Sequence, residues 1–112
     1  MRIFQFAARA TVLVILLPTL AVAEDIVVEQ KDKAFVYKDS KTGVLKVKVG
    51  AVVQFKNMDT YFHNVFSLSD AKLFDLGSYP QGQSKSVTFD KAGTVEVECA
   101  IHPKMKMTVE VK

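Results

Sequence analysis

VEVECAIHPKMKMTVEVK, Val95–Lys112, decides how the chain is read. Two runs of strict alternation flank a short connection. Val95, Val97 and Cys99 fall on one face of the first run, and Glu96 and Glu98 on the other. Met105, Met107, Val109 and Val111 share a face of the second. Successive side chains of a strand point to opposite faces, so both runs read as half-buried β-strands, with Cys99 turned inward where the first one ends. The connection Ala100–Lys104 joins them with His102 at its middle, and Pro103 stiffens it while removing one backbone donor. Two neighbouring strands and a rigid loop can thus bring a thiolate, an imidazole and a thioether to a common point.

The same period of two runs through the rest of the chain. Asp25–Gln30, Lys33–Lys38, Val44–Val49, Val52–Lys56, His63–Leu68 and Lys85–Phe89 are rich in Val, Phe and Thr with polar residues on alternate positions. The breaks carry turn chemistry: Asp39-Ser40, Thr42-Gly43, Gly50, Asn57 to Thr60, Tyr79-Pro80 with Gly82, and Ala92-Gly93. With Thr94–Cys99 and Lys106–Val111 this makes about eight short strands and no amphipathic helix, the pattern of an all-β sandwich or barrel. Ser69–Gln83 reads either as a short strand or as an irregular loop. Phe35, Tyr37, Val47, Val49, Val53, Phe55, Val65, Val87, Phe89, Val95, Val97, Val109 and Val111 are the expected core.

The chain has 112 residues. Its start is of a different kind: Arg2 and Arg9, the apolar run Thr11–Leu20, then the small residues Ala21–Ala23. That is the layout of a secretory signal peptide, residues 1–23, cleaved after Ala23. The apolar run is shorter than the roughly 20 residues a membrane-spanning helix needs. The domain is then residues 24–112, with thirteen lysines against twelve acids and no arginine. Such a balance lacks the clustered basic face of a nucleic-acid binder. Export also sharpens the meaning of the single cysteine. An internal disulfide is impossible, so the thiol is buried, paired with another chain or bound to something.

An electron-transfer copper site takes two His and one Cys in a plane with a weak, long axial Met. Besides His102, the chain holds one other histidine, His63, at the start of a strand after a polar turn. Here the chain resembles the cupredoxins, the small blue-copper proteins, most sharply at HNVF, His63–Phe66, and at CAIHPKM, Cys99–Met105. The spacing Cys-x2-His-Pro-x-Met is similar to that of the amicyanins, whereas plastocyanins and pseudoazurins have longer loops. The resemblance implies a small Greek-key β-sandwich holding one type 1 copper, with His63, Cys99, His102 and Met105 as ligands. It further implies that the Asn64 side chain bonds across to the cysteine loop. Met107 would match the longer plastocyanin-like spacing, but it also suits an ordinary packed position one step further along the strand.

The function implied is an exported, periplasmic shuttle that moves single electrons between redox proteins, not an enzyme. Its partners would be a dehydrogenase, a cytochrome c or a copper reductase, docking briefly near His102 on a monomer. Nucleic acid and stable membrane insertion after cleavage are not expected. Lys104 and Lys106 lie nearby, where solubility is their simpler role and steering an acidic partner the other. The alternative is a periplasmic copper carrier or storage protein without an electron-transfer role, since thiolate and thioether donors suit Cu(I). A Cys–His nucleophile and base is a third arrangement, but no acidic or amide group has an evident place to orient the pair, and Met105 would be idle.

Overall fold

The computed structural model describes residues 7–18 and 26–112. Ten strands and no helix occur among them: β1 (Ile26–Lys31), β2 (Ala34–Tyr37), β3 (Ser40–Lys41), β4 (Val44–Val47), β5 (Ala51–Asn57), β6 (His63–Ser69), β7 (Lys72–Tyr79), β8 (Ser84–Phe89), β9 (Gly93–Glu98) and β10 (Lys106–Val111). One sheet has the order β3-β2-β1-β5-β8 and the other β4-β10-β9-β6-β7. β1 runs parallel to β5 and β10 parallel to β4, while the remaining pairs are antiparallel. The expected all-β sandwich is therefore present, with two strands beyond the eight read from the pattern. These are the two-residue β3 and the eight-residue β7, which occupies the stretch left open between strand and loop.

Residues 7–18 are exposed and carry neither helix nor strand. The cleavage position expected after Ala23 lies outside the described residues.

Inward faces of the two sheets meet in a core of alternating residues. Val28, Val53 and Phe55 come from one sheet, Val65, Val95, Val97 and Val109 from the other, all fully buried. Phe35 meets Phe55 edge to face, with ring centroids 6.1 Å apart. Each such side chain contributes roughly 1.5–3 kcal/mol on leaving water. Val49 departs from expectation. β4 stops at Val47, and Val49 enters the Lys48–Ala51 turn, where it is 49% exposed. Tyr37 is only partly buried, whereas Val28, Leu45, Tyr79, Met105 and Met107 complete the core.

Two hairpin turns bracket β2, and the first of them, between β1 and β2, lies at the end of the sandwich that matters below. Lys31 pairs with Ala34 across Asp32-Lys33, and Tyr37 with Ser40 across Lys38-Asp39. All four linking residues have positive φ, between 49° and 63°. That is the I′ geometry whose twist matches the flanking strands. At the end of the sandwich marked by the β1–β2 turn lie the starts of β6 and β10 and the finishes of β1, β5 and β9.

Candidate metal centre

Alternation carries Cys99 inward just past the end of β9, where it is 1% exposed. The following loop is tied twice by its own backbone. Met105 N–H donates to the His102 carbonyl at 2.8 Å, closing a turn with Pro103 at its second position, where proline's fixed φ fits. Cys99 N–H donates to the Met105 carbonyl at 3.2 Å. A third tie comes from β6: the Asn64 Oδ1 accepts the Ala100 N–H at 2.7 Å, the cross-link expected of this residue.

His63 opens β6 and is completely buried. Its Nδ1 faces Cys99 Sγ at 3.8 Å, and His102 Nδ1 lies 3.9 Å from the same sulfur. The two Nδ1 atoms are 3.2 Å apart. The point equidistant from these three atoms is about 2.1 Å from each, the length at which imidazole nitrogen and thiolate hold a transition-metal ion. Both N···S separations exceed a good hydrogen bond, so the triangle fits an ion between its corners better than it fits direct bonding. Two imidazoles and one thiolate are the planar donor set of a type 1 copper site. The arrangement therefore fits copper. Met105, 1% exposed, abuts this group through the backbone bond to Cys99. Met107 pairs with Val97 within the sheet, one alternation step deeper.

Asp59, which the sequence reading passed over as a turn residue, orients His63. Its Oδ2 lies 2.7 Å from His63 Nε2, leaving Nδ1 turned toward the sulfur. The same carboxylate accepts from the backbone N–H of Asp32 at 2.8 Å and of Lys33 at 3.2 Å. The positive φ of the β1–β2 turn aims both amides at it. Burial works to raise the Asp59 carboxyl, but the hydrogen bonds from His63, Asp32 and Lys33 outweigh it and hold the group below its usual value. The expectation that no acidic or amide group has an evident place to orient an imidazole beside Cys99 is thus corrected. The available signal was an acid four residues before His63, in a loop too short to place it far away.

Tyr61 packs against both imidazoles, its ring centroid 5.3 Å from that of His63 and 5.2 Å from that of His102. His102 itself is only partly buried. Partial burial, His63 and Lys33 keep its imidazole more readily neutral than usual, against a smaller opposing pull from Asp59. A neutral ring is the form that offers a lone pair to a metal. Beside it an open concavity is lined by Lys33, Lys41, Ile101, Pro103 and Lys104. Lys106 is not part of it and instead lies 3.5 Å from Glu98 on the outer sheet face.

Comparison with known proteins agrees with this geometry. The model of a family described as copper binding proteins, plastocyanin/azurin family, matches residues 24–112. The methylamine utilization protein MauL of Methylorubrum extorquens is 34% identical over 68 residues, which cover 60% of this chain and 60% of MauL. Among solved structures, the oxidised form of a proline-to-alanine variant of amicyanin superposes with a TM-score of 0.68 at 30% identity. That match covers 79% of this chain and 82% of the other. A Cu(I) form of a methionine-to-alanine amicyanin variant gives 0.69 at 29% identity, over 84% of this chain and 87% of the other.

Proposed function

The chain belongs to the plastocyanin/azurin family of copper-binding proteins, and from that premise we propose that it shuttles single electrons between redox proteins through one type 1 copper site. His63, Cys99 and His102 would hold the copper, with Met105 as a fourth, weaker donor. The observation that carries this reading is the triangle of donor atoms, with sides of 3.2, 3.8 and 3.9 Å, already drawn to metal-binding size. When bound, copper supplies a one-electron couple between Cu(II) and Cu(I).

The chain's own residues supply the rest. Asp59 fixes the ring plane of His63, and Asn64 with the Pro103 turn fixes the loop bearing Cys99 and His102. Ligands held this firmly move little between oxidation states, which keeps transfer fast. His102 is the ligand that reaches the surface, flanked by Ile101, 46% exposed, and Pro103. This small apolar spot suits a brief contact of low area. Lys33, Lys41 and Lys104 around it favour an acidic partner surface, such as one on a dehydrogenase, a cytochrome or a copper reductase. An Asp59–His63–Cys99 row also resembles a nucleophile triad, but both the sulfur and the first imidazole are buried away from any substrate. Residues 1–23 serve as an export signal in this proposal, delivering the domain to the periplasm as a monomer.

Absorption of the Cu(II)-loaded domain tests the site. An intense visible sulfur-to-copper band is expected in the parent and absent in Cys99→Ser. A colourless parent would overturn the reading. Met105→Leu is expected to shift the reduction potential while keeping colour, and Met107→Leu to leave the potential alone; the reverse result moves the axial role to Met107. Repeated reduction and reoxidation with copper retained separates a shuttle from a carrier, which would release it.

A further inference from the structure

Gln30 occupies a place that alternation reserves for an apolar residue. It follows Val28 on the inward face of β1, and both are completely buried. A buried amide is costly unless every polar atom finds a partner, and here each does. Gln30 Oε1 accepts from the Tyr79 hydroxyl at 2.5 Å, and Gln30 Nε2 donates to the Asn64 carbonyl at 3.2 Å. Tyr79 is also fully buried, directly opposite His63 in the β6–β7 pairing. Its hydroxyl lies within 3.2 Å of the Phe55 carbonyl, and its own carbonyl accepts from Asn57 Nδ2 at 3.0 Å. Burial, with Cys99 nearby, pushes the hydroxyl far above the ordinary tyrosine range, so it stays a hydrogen-bond donor.

This polar strut crosses from one sheet to the other behind the metal centre, and it ends on a weak point. The β6–β7 register shifts between Asn64 and Phe66, so the ladder is irregular just after His63. The Asn64 carbonyl at that irregularity is the atom Gln30 holds. The Asn64 side chain, in turn, holds the amide of Ala100, the residue after Cys99. One chain of contacts thus runs from Tyr79 through Gln30 and Asn64 to both ligand-bearing segments.

We propose that Gln30, oriented by the Tyr79 hydroxyl, is a positioning residue of the metal centre, pinning the Asn64 segment so that His63 and Cys99 keep their spacing in the metal-free protein. The mechanical part stands on contacts within the chain, and only its consequence for copper rests on the shuttle reading.

The test substitutes Gln30→Met, which keeps the volume and removes the amide, and compares it with Val28→Ala, a core truncation on the same face of the same strand. Amide exchange of the metal-free proteins is the first readout. Ala100 should exchange at least about tenfold faster in Gln30→Met than in Val28→Ala once rates are corrected for global stability. The copper-loaded Gln30→Met protein should also lose its metal to a chelator several-fold faster than Val28→Ala does. Equal Ala100 exchange in the two variants overturns the proposal, because the effect would then be general loosening of the core. An equal rate of copper loss overturns it too. Should Gln30→Met not fold, Tyr79→Phe, which deletes one oxygen, carries the same comparison with the same two outcomes. A parent that takes up no copper would sink the shuttle reading instead, and the exchange experiment would still decide this one.

Discussion

At the scale of the residue, Asp59 gathers three hydrogen bonds that organise the site, though it is not among the proposed ligands. One nearly buried carboxylate receives the His63 ring and two backbone amides of a strained turn. Hydrogen bonds to a charged acceptor are worth about 1.5–3 kcal/mol each in net terms, and an amide oxygen at this position would keep only part of that. Asp59→Asn is therefore expected to lower the stability of the metal-free domain by about 1–3 kcal/mol near neutral pH. The sign of the pH dependence follows from the depressed carboxyl. Below its usual value of 3.8 the unfolded chain takes up a proton that the folded chain still refuses. The contribution is whole above 3.8 and is lost as pH falls through the lowered folded value. Urea unfolding of parent and variant should show a gap that is constant at neutral pH and narrows in acid. A gap unchanged into strong acid would mean the carboxylate is not the group making these bonds.

At the scale of the element, β9 begins on a residue where a side chain would not fit without a shift of its neighbour. Gly93 has φ of 149°, and a Cβ there would stand 2.8 Å from the Ala71 Cβ in the β6–β7 turn. Gly93→Ala is expected to cost about 1–3 kcal/mol from overpacking and backbone strain together. Ala71→Gly in the same molecule should return the overpacking part and leave the strain, which a double-mutant cycle on thermal unfolding would measure. Additive costs would show that the two residues do not meet. β7 teaches the complementary lesson about legibility. Its sequence KLFDLGSY puts Leu73 outward, 72% exposed, opposite a similarly exposed Leu68, while the register shift beside Gly77 breaks the alternation before Tyr79. β7 is an edge strand, so its outer neighbours impose little choice of residue, and periodicity alone left it undecided. β10, paired on both sides, was readable to the residue.

At the scale of the whole molecule, this is a small domain with no disulfide to restrain its unfolded chain. A ligand that binds only the folded form adds stability by mass action, about 4 kcal/mol when its free concentration is a thousand times Kd. For a domain of this size that corresponds to a rise in Tm of more than about 10 °C. Copper is expected to produce such a shift in the parent and none of that size in Cys99→Ser, read by differential scanning calorimetry. A similar gain in both would place the binding elsewhere. The lysines beside His102 act over a longer range. Replacing Lys33, Lys41 and Lys104 by glutamine should slow association with an acidic redox partner and remove most of its salt dependence, as followed by stopped-flow electron transfer. Unchanged rates would reduce these lysines to a solvated surface.

Local chemistry was enough to determine the strands other than β3 and β7, the inward turn of Cys99 and the short Pro-stiffened loop, because alternation and spacing act within a few residues. The donor types were likewise written in the chain, down to an asparagine beside His63. What it did not contain was the company those residues keep. Asp59 meets Lys33 across 26 positions, Gln30 meets Tyr79 across 49, and the His63–Cys99 separation spans 36. Contacts of that reach arise only when strands distant in the chain become neighbours in a sheet, as β6 and β9 do, or when the two sheets close on each other, as at Gln30 and Tyr79, since tertiary packing, not sequence distance, sets which buried polar atoms meet and must satisfy one another.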